Sequence, residues 1–519
     1  MGIELFEYKP EWETEFNRIR AYLEKNITDY MDIIHVGSTA LKDALSRDEI
    51  DVDVVIESIN NLPLLVKQLE NINYTFLGSS NIKGVYDFKE NNDFYKHNLR
   101  VVISGSDGYV KHIELLNLLK NNEGYFKKYM KLKVNLASKA RNLEAYAMGK
   151  DEIVLGLLKK YDNKIKIVMP NLEKSLVNVT SSIMNKYGMR SKYKPLVSLK
   201  DIKDYRHIIL LVIDGLGESI VKMHLNEKSF LSKHYVDKLT SSFPPTTVAA
   251  TTSILTGIAP GENGWIGWSQ YFKDIDKNLF MFSGRDMEEN DHQDLIKEQV
   301  GYTPFYENFL GYNSEVYPSF KEGGAKTFHM LLKRALKETK KDFYTFTYAY
   351  WDEPDNTMHD FGPSSREARM VVRDIDKKLE QMLSDLPKDT CVVITADHGQ
   401  IDVLPLIFEK FSDVNYLLDK PISIESRCAN FFIKEGFKQE FKRLFNKYFK
   451  NYYKLCDKES FARDYLINYR ETNLDFIGDY VAIATDRYFI SNDDKPFKGH
   501  HAGLTSMEME VPLFFIRGK

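Results

Sequence analysis

The chain has 519 residues, too many for one ordinary hydrophobic core, so two or more domains are expected. Its 71 Lys and Arg nearly balance its 75 Asp and Glu, for a formal net charge of -4, which excludes a global electrostatic pull toward nucleic acid or an anionic membrane. No apolar run approaches the roughly 20 residues of a spanning helix. The charged opening MGIELFEYKPEWETEF does not read as a signal peptide, and the cysteines Cys391, Cys428 and Cys456 lack metal-site spacing, so a reducing cytoplasm is the expected compartment.

In chain order, a helical opening leads into MDIIHVGSTALKDALSRDEIDVDVVI, where Gly37 and Ser38 precede Asp51 and Asp53. The two aspartates alternate by two, which puts both on one side of a strand, where they could share a divalent cation. A helical stretch ending YAMGKDEIVLGLLKKY and a polar bridge, DNKIK, close a first domain at about residue 162. From 168 to 519 a second pattern alternates apolar strands with helical periods. In SREARMVVRDIDKKLEQMLSDL, for example, Met370, Val371, Ile375, Leu379 and Met382 share one face. The alternation predicts an α/β doubly wound sheet.

Four strand-like runs in that second domain end on metal-binding residue types. HIILLVID ends at Asp214, and FYTFTYAYWDEPDNTMH carries Asp355 and His359. CVVITADHG supplies Asp397 and His398, and GHHAGLTSMEMEVPLFFI carries His501. Between the first two lies the hydroxyl-rich FPPTTVAATTSILTG with Thr246 and Thr247. Open α/β sheets bind ligands beyond the carboxyl ends of their strands, where these acids fall. Asp355 and His359, four apart, share a side if a helix opens after Pro354. About a hundred residues separate the DHG segment from His501, too long for a loop, so a subdomain is expected to be inserted at about 403–497. A lone Asp-Gly is ordinarily a turn and a threonine-rich segment ordinarily a helix cap. Occurring together and in order, carboxylates, imidazoles and a hydroxyl suit a two-metal phosphoryl-transfer site.

The segments LLVIDGLG, Thr247 ahead of SILTG, EPDNTMHDFGP, TADHG and HHAGL carry a resemblance. Residues 168–519 resemble the alkaline phosphatase superfamily, most of all its type I phosphodiesterase/nucleotide pyrophosphatase branch. The resemblance implies two divalent metal ions, zinc in the usual case and manganese as the alternative. Asp355, His359 and His501 would hold one; Asp214, Asp397, His398 and the Thr247 oxygen would hold the other. His501 fits the pattern better than His500. Thr247 would be the nucleophile, through a phosphothreonine intermediate, with Thr246 as fallback. The implied partner is a small phosphorylated or nucleotide substrate, with neither nucleic acid nor membrane; the oligomeric state is left open. Where the branch carries an Asn some twenty residues past the nucleophile, this chain has Trp268, with Asn263 nearby as a substitute or a turn residue. Trp265 and Trp268 suit either stacking on a base or packing. GLTSMEMEVPL is also similar to phosphonoacetate hydrolase, so a phosphonate hydrolase is the alternative. Arg427, in the inserted stretch, reads as a surface salt bridge or a phosphate contact.

HVGSTA, EIDVD and YAMGK resemble the GrpB family, a branch of the α+β nucleotidyltransferase fold, over roughly residues 3–162. That implies Gly37 and Ser38 around a triphosphate, with Asp51 and Asp53 on Mg²⁺. The neighbouring strand HNLRVVISG offers Arg100 where active relatives of that fold carry a third carboxylate, and Glu114 follows on a helix. Two further readings follow: an enzyme that both attaches and removes nucleotides, or an N-terminal half that senses nucleotides without catalysis.

Overall fold

Trp12, Phe16, Ile19 and Leu23 recur every three or four residues along the helix Pro10–Asn26, and all four are buried. They pack with Val52, Val54, Leu99 and Val101 into the core of an N-terminal unit, Met1–Lys164. A second unit runs from Ile165 to Lys519. The computed structural model describes residues 3–56, 58–80, 82, 84–103, 106–121, 123–162, 165–491 and 497–519.

The sheet of the N-terminal unit has five strands, in the order Asp32–Val36, Ile50–Ile56, His97–Ile103, Val85–Glu90, Tyr74–Ser79. Only the pairing of Ile50–Ile56 with His97–Ile103 is parallel, and it sets Asp51 opposite Asn98 and Asp53 opposite Arg100. A separate cluster around Leu41, Leu116, Leu119, Tyr129 and Leu157 joins the helices Glu123–Lys139 and Leu143–Asp162.

In the C-terminal unit, HIILLVI forms the strand His207–Ile213 with every residue buried, as a strand with parallel neighbours on both sides requires. The sheet order is Tyr312–Val316, Thr345–Trp351, His207–Ile213, Thr390–Thr395, Glu510–Arg517, Tyr235–Thr240. The first four strands are mutually parallel, and Glu510–Arg517 runs antiparallel to both its neighbours. The helices Leu176–Lys186, Thr247–Thr256, Phe328–Glu338 and Arg366–Leu383 contribute to the same core, the last through Ala368, Val372, Ile375, Leu379 and Leu383, while Met370, expected on that face, is exposed. Together these make a mixed α/β architecture, a mostly parallel sheet packed by helices.

The stretch 403–497 carries strands of a second sheet. Its strands Tyr453–Asp457, Tyr480–Ala484, Cys428–Phe431 and Ser423–Glu425 form a six-stranded sheet with Ser269–Phe272 and Lys277–Phe280, which lie far upstream in the chain. All three cysteines are buried and free. No helix of the described residues is long and apolar enough to cross a membrane.

Candidate metal centre

Asp214 follows its strand directly, and its amide donates to the Trp351 carbonyl of the neighbouring strand. Asp397 follows Thr390–Thr395 with its side chain fully buried; its Oδ1 accepts from the amides of Gly215 (3.2 Å) and His398 (3.0 Å). Asp355 and His359 lie one turn apart on the helix Asp355–Phe361, with Nε2 3.1 Å from Oδ2. Thr247 is the first residue of the helix Thr247–Thr256, and its Oγ1 lies 3.2 Å from His398 Nε2. That same nitrogen is 3.3 Å from Asp214 Oδ1 and 3.7 Å from Asp397 Oδ2. The rings of His398 and His501 stack with centroids 3.8 Å apart.

The three imidazoles share one arrangement. Nδ1 of His359 donates to the Gly499 carbonyl (2.9 Å), that of His398 to Gly399 (3.0 Å) and that of His501 to Pro245 (3.2 Å). A proton on Nδ1 leaves Nε2 of His398 and His501 for a ligand, whereas Nε2 of His359 meets the Asp355 carboxylate, which raises the His359 pKa against the effect of burial. Burial, and then the charge of His398, lower the pKa of His501 well below the ordinary imidazole range, so it is neutral.

The carboxylates show what is missing from the chain itself. Asp214 Oδ1 and Asp397 Oδ2 are buried without a hydrogen-bond partner among the described residues. Burial, then the charges of Asp397 and Asp355, push the Asp214 carboxyl well above its usual range. Tyr350 answers in part by donating its hydroxyl to Asp214 Oδ2. Burial also raises Asp355, but His359, hydrogen-bonded to it one turn away, holds it below the ordinary carboxylate range. Donor atoms of Asp214, Asp397 and His398 lie within 4.8 Å of one another, as do those of Asp355, His398 and His501. Orphaned acid oxygens beside imidazole lone pairs are a donor set that fits divalent cations. His398 belongs to both groups, and His359 stands beside the second through Asp355. His500 lies alongside, its ring 5.2 Å from that of His359.

The Asn263 amide closes its own turn, donating to the Ile258 carbonyl (3.1 Å) and accepting from the Trp265 amide (2.8 Å). Trp265 is buried, its indole nitrogen on the Val300 carbonyl. Trp268 is 49 % exposed, and its amide donates to Glu425 Oε1 at 3.0 Å. Arg427 is neither a surface ion pair nor a phosphate contact. It is fully buried and forks onto Glu508, with Nε–Oε1 at 2.7 Å and NH2–Oε2 at 2.8 Å, because the hairpin carrying it folds inward. Sequence reasoning missed Tyr350, Glu425 and Gln400, which donates to Asp355 Oδ1 at 2.5 Å. Only Tyr350, just inside the end of an apolar strand, carried a sequence signal.

In the N-terminal unit, Gly37 adopts φ 75°, and a Cβ there would fall 2.5 Å from Asp51 Oδ2, so only glycine fits. Ser38 Oγ accepts from the buried Lys133 ammonium at 2.7 Å. Asp51 Oδ1 is held by Asn98 (3.1 Å) and Arg100 (3.0 Å), and Asp53 Oδ2 by His112 (2.7 Å). Asp53 Oδ1 is buried with no partner. Gly37 thus lies against Asp51, and Arg100 and His112 each take one oxygen of the aspartate they face. The Glu114 side chain lies outside the described residues.

A parallel sheet with acids and imidazoles gathered at the carboxyl ends of its strands, beside a threonine that opens a helix, is the alkaline-phosphatase design. The chain belongs to the type I phosphodiesterase / nucleotide pyrophosphatase family, whose match covers residues 208–308 and 294–504, more than half of the chain. Residues 2–160 match the GrpB protein family. Human ectonucleotide pyrophosphatase/phosphodiesterase family member 5 is 24% identical over 246 residues, 42% of this chain and 49% of that protein. UPF0157 protein YqkA of Bacillus subtilis (strain 168) is 24% identical over 152 residues, 29% of this chain and 44% of that protein. The chain thus spans about half the length of these curated relatives. Among solved structures, phosphonoacetate hydrolase from Sinorhizobium meliloti 1021, in complex with phosphonoformate, aligns with a TM-score of 0.44 at 15% identity, covering 61% of this chain and 91% of that one.

Proposed function

We propose that the C-terminal unit is a metal-dependent phosphohydrolase of the phosphodiesterase/nucleotide pyrophosphatase type, with Thr247 as its nucleophile and a small phosphorylated or nucleotide compound as substrate. The observation that carries this reading is the placement of Thr247 Oγ1 at 3.2 Å from His398 Nε2, a nitrogen shared by both groups of buried donors. Two divalent cations, zinc or manganese, held by Asp214, Asp397 and His398 and by Asp355, His359 and His501, would supply hydroxyl activation and charge neutralisation.

The chain's own residues do the rest. Thr246, at the N-cap, gives its hydroxyl to Glu425 instead of capping the helix. The amides of the first helical turn therefore remain available to the oxygens of a phosphoryl group next to Thr247. Thr247 Oγ, its proton lost to solvent, bonds to phosphorus while the bond to the leaving oxygen breaks. Water then attacks the phosphothreonine, and the P–O bond to Thr247 breaks to restore the hydroxyl.

Hydrolysis of bis(p-nitrophenyl) phosphate with added Zn²⁺ or Mn²⁺ tests the reading. Chelation should abolish turnover, and Thr247→Ala should lower kcat by roughly a thousandfold or more. Activity that survives both treatments defeats it. Turnover of phosphonoacetate in excess of the diester would move the assignment to a phosphonate hydrolase.

A further inference from the structure

We propose that Glu425 determines specificity by charge: its carboxylate, fixed beside the nucleophile, admits phosphodiesters and turns away phosphomonoesters. The inference rests on the phosphoryl-transfer reading of Thr247 and names the substrate class of that site.

Glu425 ends the strand Ser423–Glu425 and pairs with Cys428 across a tight hairpin. Three features fix it in place. Its Oε1 accepts from Thr246 Oγ1 at 2.6 Å and from the Trp268 amide at 3.0 Å. Its strand bridges to Ser269, and a Cβ on Gly267 would fall 2.7 Å from Ile424 Cγ2, so the two segments touch closely. Arg427, two residues on, is locked by its buried fork onto Glu508. Ile424 itself holds φ 71°, a left-handed conformation costly for a β-branched residue and usually retained where a neighbouring group must be aimed.

The carboxylate is thereby tied to the residue before the nucleophile; burial pushes its pKa up to about 7, against the hydrogen bonds from Thr246 and the Trp268 amide and the nearby charges of His398 and His359. Among the described residues its second oxygen, Oε2, accepts no hydrogen bond, and Glu425 is only partly buried. The main-chain amide of Trp268 is already committed to Glu425. Above about pH 7 the groove beside Thr247 therefore meets its substrate with a negative charge. A phosphodiester brings one negative charge to phosphorus, whereas a monoester brings nearly two above its second pKa of about 6. Like charges a few ångströms apart near a protein surface discriminate by a factor on the order of ten or more.

The test uses two substrates with one leaving group, p-nitrophenyl phosphate and its methyl ester, assayed on the full-length, metal-loaded protein. The wild type should prefer the methyl ester. Glu425→Gln, which keeps the shape and both accepted hydrogen bonds, should raise the monoester-to-diester ratio of kcat/KM about tenfold or more, and Glu425→Asp should return it toward the wild-type value. A fold defect would depress both substrates together and leave the ratio unmoved. An unchanged or lower ratio in Glu425→Gln, with wild-type diester activity intact, overturns the role of Glu425 alone. Absence of activity toward both substrates in the wild type overturns it together with the underlying reading.

Discussion

Tyr350 shows how one hydroxyl conditions a cluster of acids. Its O–H is the donor that Asp214 finds within the chain, at a buried carboxyl already strained by the charges of Asp397 and Asp355. Tyr350→Phe leaves the packing surface and removes only that donor. Groups that orient metal ligands typically contribute ten- to a hundredfold to metal affinity, so Zn²⁺ binding, followed by competition with a chromophoric chelator, should weaken by about that factor. In the N-terminal unit the corresponding residue is Lys133. Burial, then the nearby charge of Lys150, draws its pKa down to about 7. An unfolded lysine keeps its proton to about pH 10.4, so above neutrality the unfolded chain binds more protons than the folded one. The stability tied to this group is therefore fully present at high pH and lost as pH falls through about 7. Urea unfolding of the N-terminal unit, followed by backbone amide protection, should gain about 2–3 kcal/mol from about pH 7 to about pH 9. Lys133→Met should flatten that slope.

At the scale of elements, the hairpin around Arg427 is fastened to the segment that leads into the last strand of the C-terminal unit. Both Glu508 oxygens serve Arg427 while also accepting from Gly503 and Thr505, so the pair ties the hairpin to the turn ahead of the last strand. Removing one partner strands a buried charge: Arg427→Met should cost about 3–5 kcal/mol, measured by the urea midpoint. Arg427→Lys should recover little of it, since an ammonium cannot fork. The same elements show what could be read from the residues alone. His207–Ile213 and Thr390–Thr395 were legible because strands buried on both faces are continuous apolar runs, and their terminal acids came with them. The inserted region was legible only as a length. Its sheet borrows Ser269–Phe272 and Lys277–Phe280, and a pairing across some 150 residues leaves no local periodicity. Glu425 was invisible for the same reason: a single carboxylate acquires meaning only when a distant turn delivers it to Thr246.

Across the whole molecule, the donor groups come from segments scattered between residues 214 and 501, whereas the N-terminal unit has a core of its own. Cations bound there would join the ends of the Asp214 and Asp397 strands, the Asp355 helix and the turn at His501. Without them, three buried carboxylates repel one another in the same small volume. A ligand that binds only the folded state at about a thousand times its Kd adds roughly 4 kcal/mol. For a unit of this size that corresponds to a shift in Tm of roughly 5 °C. Chelation should therefore lower the unfolding temperature of the C-terminal unit by about that amount and leave the N-terminal unit where it was, with Zn²⁺ restoring the loss. Calorimetry with and without chelator, paired with hydrogen exchange resolved between residues 3–162 and 165–519, separates the outcomes. Protection lost at the strand ends near Asp214, Asp397 and His501 is the expected pattern; an equal loss in both units, or none in the second, would contradict a metal centre confined to that sheet edge.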